Sequence, residues 1–277
     1  MKGNNTMKDK ILLYEELSLN ALPALQTQFY DGWVLRFTND YHYTSRANSV
    51  NLLNPSTLDL QMKIAECEKR YFAQSLPAAF KITDGTDAEF DKVLDRKGYE
   101  IVTPTYMMTT DLSVGDGVLD VPSRDCALTS YIDSEWLDAY FSLNNYTDKR
   151  MSTAKQVFNN IKVDVLCGRL VRDGATVACG MCVIERGYMG LFNVVVDESL
   201  RGKGYGIEIC ESLLSAAKRI GTHTAYLQVV QDNHKAVNLY TKLGYKTIYS
   251  YWYRVKKEYT QPLPPGGAGA LPGVGRD

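Results

Sequence analysis

Residues 194–206 hold the densest chemistry in the chain: Val-Val-Val-Asp-Glu-Ser-Leu-Arg-Gly-Lys-Gly-Tyr-Gly. Three consecutive valines predict a strand. From Ile207 to Ile220 the apolar residues Ile207, Cys210, Leu213, Leu214 and Ala217 recur at helical spacing. Between the two, Gly202, Gly204 and Gly206 carry no side chain. A strand, a glycine turn and a helix in that order aim several backbone N–H groups and the positive end of a helix at one point. The chemistry of such a point is anion binding, above all phosphate binding. Arg201 and Lys203 add positive charge beside it. No Gly-Lys-Ser/Thr follows, so this is not a Walker A loop, and the third glycine comes one residue too early for a dinucleotide fingerprint. Without its flanks the segment would read as an ordinary tight turn.

A second group lies downstream. Residues 233–245 read Asn-His-Lys-Ala-Val-Asn-Leu-Tyr-Thr-Lys-Leu-Gly-Tyr. A helix is expected over Lys235–Leu243, with Gly244 ending it as a C′ residue. Tyr240 then lies seven residues after Asn233, two turns along the same face. A strand-like run, Ala225–Gln231, joins the two groups.

Together these blocks resemble the GCN5-related N-acetyltransferase (GNAT) superfamily. Arg201, Gly204 and Gly206 match its Arg/Gln-x-x-Gly-x-Gly/Ala motif. Asn233, Ala236, Leu239, Tyr240 and Gly244 match its Asn-x-x-Ala-x-x-Leu-Tyr-x-x-x-Gly motif. The resemblance is strong over about residues 126–256 and faint before them. It implies an acyl donor, acetyl-CoA, as co-substrate and no metal. Arg201, Gly202, Lys203, Gly204, Tyr205, Gly206 and Ile207 would hold its diphosphate. Val194, Val195 and Val196 would bind the pantetheine arm as an added strand, with Asn233 assisting, and one N–H of that segment would polarise the thioester carbonyl. The acceptor amine must lose a proton to a base. The leaving thiolate needs an acid, for which Tyr240 is the family match. The base is open. The position five residues before the asparagine, a glutamate in ribosomal-protein acetyltransferases, is Gln228 here. Glu185 is the carboxylate candidate, with Asp197 expected to cap the turn after the strand, and a water relay is the remaining route.

The implied activity is transfer of an acetyl group to a primary amine of a small molecule. A protein α-amine or lysine is the second acceptor class, and a non-catalytic acyl-CoA-binding module the third reading. With 31 basic and 32 acidic residues the formal net charge is −1, so nothing favours nucleic acid or an anionic membrane. No apolar run reaches the ~18–20 residues of a membrane span, and the polar start of the chain shows no signal peptide. The six cysteines are scattered, mostly in apolar stretches, as expected for reduced thiols in a cytoplasmic protein. Cys179 and Cys182 form a C-x-x-C within a strand pattern, pointing to opposite faces, which argues against a metal or redox pair. The chain is expected to be a monomer or homodimer.

The 277 residues suit two domains. Asp91–Val102 resembles Val237–Ile248: each places a Gly-Tyr (98–99 and 244–245) after a helix and before a tyrosine-rich strand. That reads as an internal duplication. No Arg-Gly-x-Gly-x-Gly occurs in the first copy, where Ser49–Leu60 takes its place, and Gly32-Trp-Val-Leu-Arg with Arg46-Ala-Asn-Ser resembles bacterial tandem GNAT proteins with a degenerate first half. The expected class is α+β (mixed α/β): two GNAT-like domains, each a mostly antiparallel sheet flanked by helices, with one parallel β-α-β crossover at the cofactor site. The expected boundaries are 1–112 for a first domain without a cofactor loop, 125–257 for the catalytic domain, and 258–277 for a disordered tail in which Pro and Gly fill nine of the last 18 positions.

Overall fold

A computed structural model describes residues 6–38, 40, 44–113 and 122–257; most of the expected linker and the 258–277 tail lie outside them. In chain order the elements are α1 Met7–Ala21, β1 Gln26–Tyr30, β2 Trp33–Phe37, β3 Val50–Leu52, α2 Leu60–Phe72, β4 Ala78–Thr83, α3 Ala88–Arg96 and β5 Glu100–Asp111. The second half continues with β6 Cys126–Thr129, α4 Ser134–Leu143, α5 Asp148–Asn159, β7 Asp164–Arg172, β8 Ala175–Glu185, β9 Tyr188–Val196, α6 Tyr205–Arg219, β10 Thr224–Val230, α7 His234–Lys242 and β11 Lys246–Lys256. The expected mixed, mostly antiparallel sheet is present. The expected strand at Val194–Val196 forms as the end of β9, and the helix after the glycine segment, the strand at Ala225–Gln231 and the helix before Gly244 all form within two residues of their expected bounds.

The strands form one 11-stranded sheet in the order β1-β2-β3-β4-β11-β5-β10-β9-β8-β7-β6. β11, the last strand of the chain, sits between β4 and β5, and β5, the last strand of the first half, sits between β11 and β10. Each half therefore hands its final strand to the other. All of these contacts are antiparallel, with Tyr253 opposite Lys81 and Val102, and Gln228 opposite Met107. The parallel pairs are β3–β4 and β9–β10, one β-α-β crossover in each half.

The duplicated ends share one helix stop. Gly98 (φ +79°) and Gly244 (φ +83°) adopt the left-handed conformation. In each case the following tyrosine N–H closes on the carbonyl five residues back, Tyr99 on Leu94 and Tyr245 on Tyr240, a Schellman stop that glycine permits at least cost. Both tyrosines are buried.

Helices cover both faces. α6 packs Ile209, Cys210, Leu213 and Leu214 against Leu170, Cys182, Leu191 and Leu227. On the other face α1, α4 and α5 bring Tyr14, Leu17, Trp136, Tyr140 and Phe158 against Cys179, Phe192 and Tyr226. Cys179 and Cys182 thus belong to opposite faces, as expected. All six cysteines are free thiols, five buried and Cys126 half-buried, and burial pushes the thiol pKa of Cys67, Cys167 and Cys179 up to about 12 and that of Cys126 up to about 11.

Arg254 fastens β11 into the first half. Its guanidinium meets Asp91 twice at 2.8 Å and Asp95 at 2.7 Å, and donates to the Tyr99 carbonyl at 3.0 Å. The Arg254 side chain is buried. Replacing it with alanine leaves Asp91 without a counter-charge and with only the Trp252 indole N–H at 3.0 Å, and we expect a loss of about 3 kcal/mol in urea unfolding, near the lower end for a broken buried pair.

Candidate functional site

The site is made by two strands that part. β9 and β10 pair in parallel over three positions, Tyr188 with Thr224, Met189 with Ala225 and Gly190 with Tyr226. Beyond Gly190, β9 stays paired with β8 as far as Val196, and β10 stays paired with β5 as far as Val230. The facing edges have no strand between them. Gly190 lies at the fork, where a Cβ would stand 2.3 Å from the Phe192 ring and 2.6 Å from that of Tyr226. Further along, three residues of β9 span the interval that two span on β8: Phe192 is opposite Met181, and Val195 is opposite Cys179. The extra residue makes a bulge, which bends its strand, and Asn193 within it has φ +55°. Val194, Val195 and Val196 line this free edge, half-buried. Val195 leans on the α4 face, and Val194 and Val196 on the α6 face.

At the end of β9 the chain turns through Asp197, whose carboxylate accepts from the Ser199 N–H at 2.9 Å and so caps the turn as expected. The glycine segment follows. Gly202 (φ +84°) and Gly204 (φ +89°) are left-handed and face open space, while a Cβ on Gly206 would stand 2.9 Å from Leu239. Two glycines thus serve backbone conformation and one serves close approach to α7. Gly204 is the N-cap of α6, with no side chain capping it. Among the described residues, no protein acceptor takes a hydrogen bond from the N–H of Gly202, Lys203, Gly204, Tyr205 or Gly206. These are the orphan donors of a helix start, set in an exposed loop. Ile207, expected in the same set, gives its N–H to the Gly204 carbonyl at 3.0 Å instead. Arg201 is exposed beside the loop and meets Glu198 at 3.1 Å. A diphosphate fits this donor set.

α7 borders the site. The Asn233 side chain accepts from the Ala236 N–H at 3.2 Å and caps the helix, and His234 is its first residue. Tyr240 packs edge-on to Tyr245, ring centroids 5.9 Å apart. Burial, with Cys210 nearby, holds the pKa of the Tyr240 phenol well above its ordinary value. Gln228 accepts from the Tyr251 hydroxyl at 2.6 Å.

The structure does not bring Glu185 to this group. It is opposite Tyr188, at the beginning of β9, whereas the glycine segment follows the end of that strand. At ~3.3 Å per residue the loop is roughly 25 Å away and Asn193 roughly 15 Å. The Glu185 carboxylate accepts from Asn20 at 3.0 Å and meets Arg186 at 3.4 Å. Gly190, Tyr226 and Asn193 were not singled out from the sequence. A polar residue inside the apolar run Leu191–Val196 was the available signal for Asn193.

The first half repeats the device with a different filling. β3 and β4 pair in parallel at Val50–Phe80 and Asn51–Lys81 only, and the segment after β3 leads to α2. There the Asp31 carboxylate accepts from the Thr57 N–H at 2.9 Å, the Leu58 N–H at 2.9 Å and the Thr57 hydroxyl at 2.7 Å. Lys63, fully buried, meets it at 3.1 Å. Asp31-Gly32 forms the β1–β2 turn, and a Cβ on Gly32 would stand 2.3 Å from the Pro55 carbonyl oxygen, so the turn is pressed onto the loop. A cavity of about 590 Å³ remains between β3, β4 and α1.

The family profile described as "Probable histone acetyltransferase Rv0428c C-terminal" matches residues 10–254. The chain belongs to this family, within the GNAT superfamily of enzymes that use acetyl-CoA. It is similar to an uncharacterized N-acetyltransferase of Bacillus subtilis, YobR, with 28% identity over 254 residues, covering 90% of this chain and 100% of that one. Its fold is that of a GCN5-related N-acetyltransferase from Kribbella flavida, with a TM-score of 0.64 at 16% identity over 93% of this chain and 95% of the other. A tandem GNAT protein from the clavulanic acid biosynthesis pathway aligns with a TM-score of 0.58 at 15% identity, over 75% of each chain.

The hydrogen bonds from Thr57 and Leu58 hold the Asp31 carboxyl far below the usual carboxylate range. A lowered folded-state value adds stability that is present above the unfolded value near ~4 and lost as pH falls toward the folded value. Asp31→Asn is therefore expected to melt below the wild type by a constant margin from pH 5 upward, a margin that shrinks below about pH 4. Calorimetric scans across pH 2–8 measure it.

Proposed function

We propose that this chain transfers the acetyl group of acetyl-CoA to a primary amine of a small molecule, in the site between β9 and β10. The observation that carries the reading is the pairing of two features: a free strand edge, Val194–Val196, and five open N–H groups where that edge ends.

The roles follow from the positions. The N–H groups of Gly202 through Gly206, with Arg201 and Lys203, hold the diphosphate, and Gly202 and Gly204 let the backbone come close to it. The edge of β9 takes the amides of the pantetheine arm as a further strand would, with the Asn233 carboxamide, held by its cap bond at the start of α7, assisting. When bound, the donor supplies an activated acyl group. Tyr240 carries its proton at neutral pH as any phenol does, and burial shifts it further the same way, so the hydroxyl is available to donate to the departing sulfur. Gln228 is not a base, and the Glu185 carboxylate lies at the closed end of the fork, engaged by Asn20 and Arg186, so the proton of the amine leaves through water. A small acceptor is supported by the cover over the front of this strand: Tyr14 of α1 and Tyr140 of α4 join Phe192 and Tyr226 in one packed cluster, which leaves little room for a folded polypeptide. In the first half Asp31 takes the hydrogen bonds that an anion would need, so we infer one donor per chain.

Titration calorimetry with coenzyme A should give a stoichiometry of one. Gly204→Val should abolish that binding and leave the melting temperature within a few degrees. A Cβ at this position meets nothing within 4 Å, and the left-handed backbone costs about 1–2 kcal/mol. An absence of heat with the wild type would refute the reading.

Tyr240→Phe should bind coenzyme A within about twofold of wild type and lose roughly 10²-fold in kcat, read by thiol release with an acceptor drawn from an amine panel. Because Tyr240 does not titrate near neutrality, the wild-type kcat should show no alkaline limb belonging to it up to about pH 9.

A further inference from the structure

Asn193 occupies the bulge that parts the strands, at φ +55° in the left-handed region, which asparagine tolerates better than most residues and glycine better still. What it adds over glycine there is a carboxamide. Its Oδ1 accepts from the Tyr140 hydroxyl at 3.2 Å, and that hydroxyl lies 3.0 Å from the hydroxyl of Tyr146. Tyr140 is itself held: its ring stacks on Trp136 with centroids 5.1 Å apart. The Trp136 indole N–H donates to the carbonyl of Gly180 at 3.0 Å, the β8 residue opposite the bulge. One face of the carboxamide is thus anchored to a rigid aromatic wall. The other end, Nδ2, is buried from solvent and has no acceptor. Buried donors without partners are uncommon, and each needs an explanation. This one lies on the part of β9 that has no β10 neighbour, one residue before the Val194–Val196 edge. An arm that enters at Gly202 and runs back along that edge brings its thioester end toward Asn193.

We propose that the Asn193 carboxamide is a catalytic hydrogen-bond donor to the thioester carbonyl oxygen, with Tyr140 as the residue that positions it. The inference rests on the reading of the β9–β10 gap as the acetyl-CoA site. As the neutral amine adds, its lone pair forms the C–N bond and the carbonyl π pair moves onto oxygen, where Nδ2–H meets the growing negative charge. When that pair returns, the C–S bond breaks and sulfur leaves with its electrons to take a proton from Tyr240. The proton of the amine passes to water, and water returns one to the Tyr240 phenolate, so the enzyme ends in its starting state. A fixed donor aimed at the oxygen is worth more in this transition state than in the bound thioester.

The test uses the full chain and acetyl-CoA labelled with ¹³C at the carbonyl. In the wild type the bound carbonyl resonance should move downfield of the free value. In Asn193→Gly, which keeps the backbone conformation, and in Asn193→Asp, which keeps the shape but cannot donate, most of that displacement should disappear. Coenzyme A affinity should stay within about threefold. With any acceptor the wild type uses, kcat should fall roughly 10²-fold, the usual effect of removing one such donor. Asn193→Gly should melt no lower than the wild type, which a merely structural side chain would not allow. Tyr140→Phe should give a smaller loss in kcat with KM for acetyl-CoA unchanged. A carbonyl resonance at the wild-type position in both Asn193 variants, with coenzyme A still bound, overturns the proposal and leaves the site assignment intact. Failure of the wild type to bind coenzyme A overturns both.

Discussion

Two neighbouring strands that begin hydrogen-bonded and then separate are the constraint on which this molecule is built. Separation strips backbone donors and acceptors of their ladder partners, and such groups must be satisfied by water or by something that mimics a strand. β9 and β10 tolerate it because each keeps its outer neighbour, β8 on one side and β5 on the other. The ring of Tyr226 occupies the space at the fork that a side chain on residue 190 would need. α6 starts beyond the unpaired end of β9, so the dipole and orphan N–H groups of its first turn lie at the open end of the gap. Packing, backbone geometry and electrostatics converge on one channel.

The two halves show how one device can be left open or closed. After β9, three glycines and a bare helix start leave the donors without a partner. After β3, a turn carrying Asp31 folds down and supplies a carboxylate to the same kind of backbone donors, with Lys63 buried beneath it. A single acidic side chain substitutes for an external anion. The first half keeps its splayed strands and a cavity, and gives up the part that would grip a phosphate.

Much of this was legible in the residues. The glycine segment, the α7 motif and the repeated Gly-Tyr helix stop are local patterns, and each carries its own physical reason. The bulge is less legible because one extra residue in Leu191–Val196 leaves the apolar pattern looking continuous; only the polar Asn193 interrupts it. Asp31-Gly32 reads as a plain hairpin turn, since nothing near it in the chain names the loop it will cover. Glu185 looked close to the motif along the sequence, but an extended strand carries nine residues farther than a helix would. The exchange of β5 and β11 is the least legible feature. Both strands are long, and pairing across such separations depends on which edges are available, not on local propensity.

That exchange sets the order in which the protein can be completed during synthesis. Chains emerge from the ribosome amino end first, and domains usually fold as they appear. Here β4 waits for residues 246–256 before its second edge is covered, and β5 has no neighbour from its own half at all. The first half is translated early and finished last. Until the final strand arrives, open strand edges are exposed to solvent and to other nascent chains, and closing them requires a long loop to be drawn in at an entropic cost. In the cell, the exposed interval is fixed by the time taken to translate the second half.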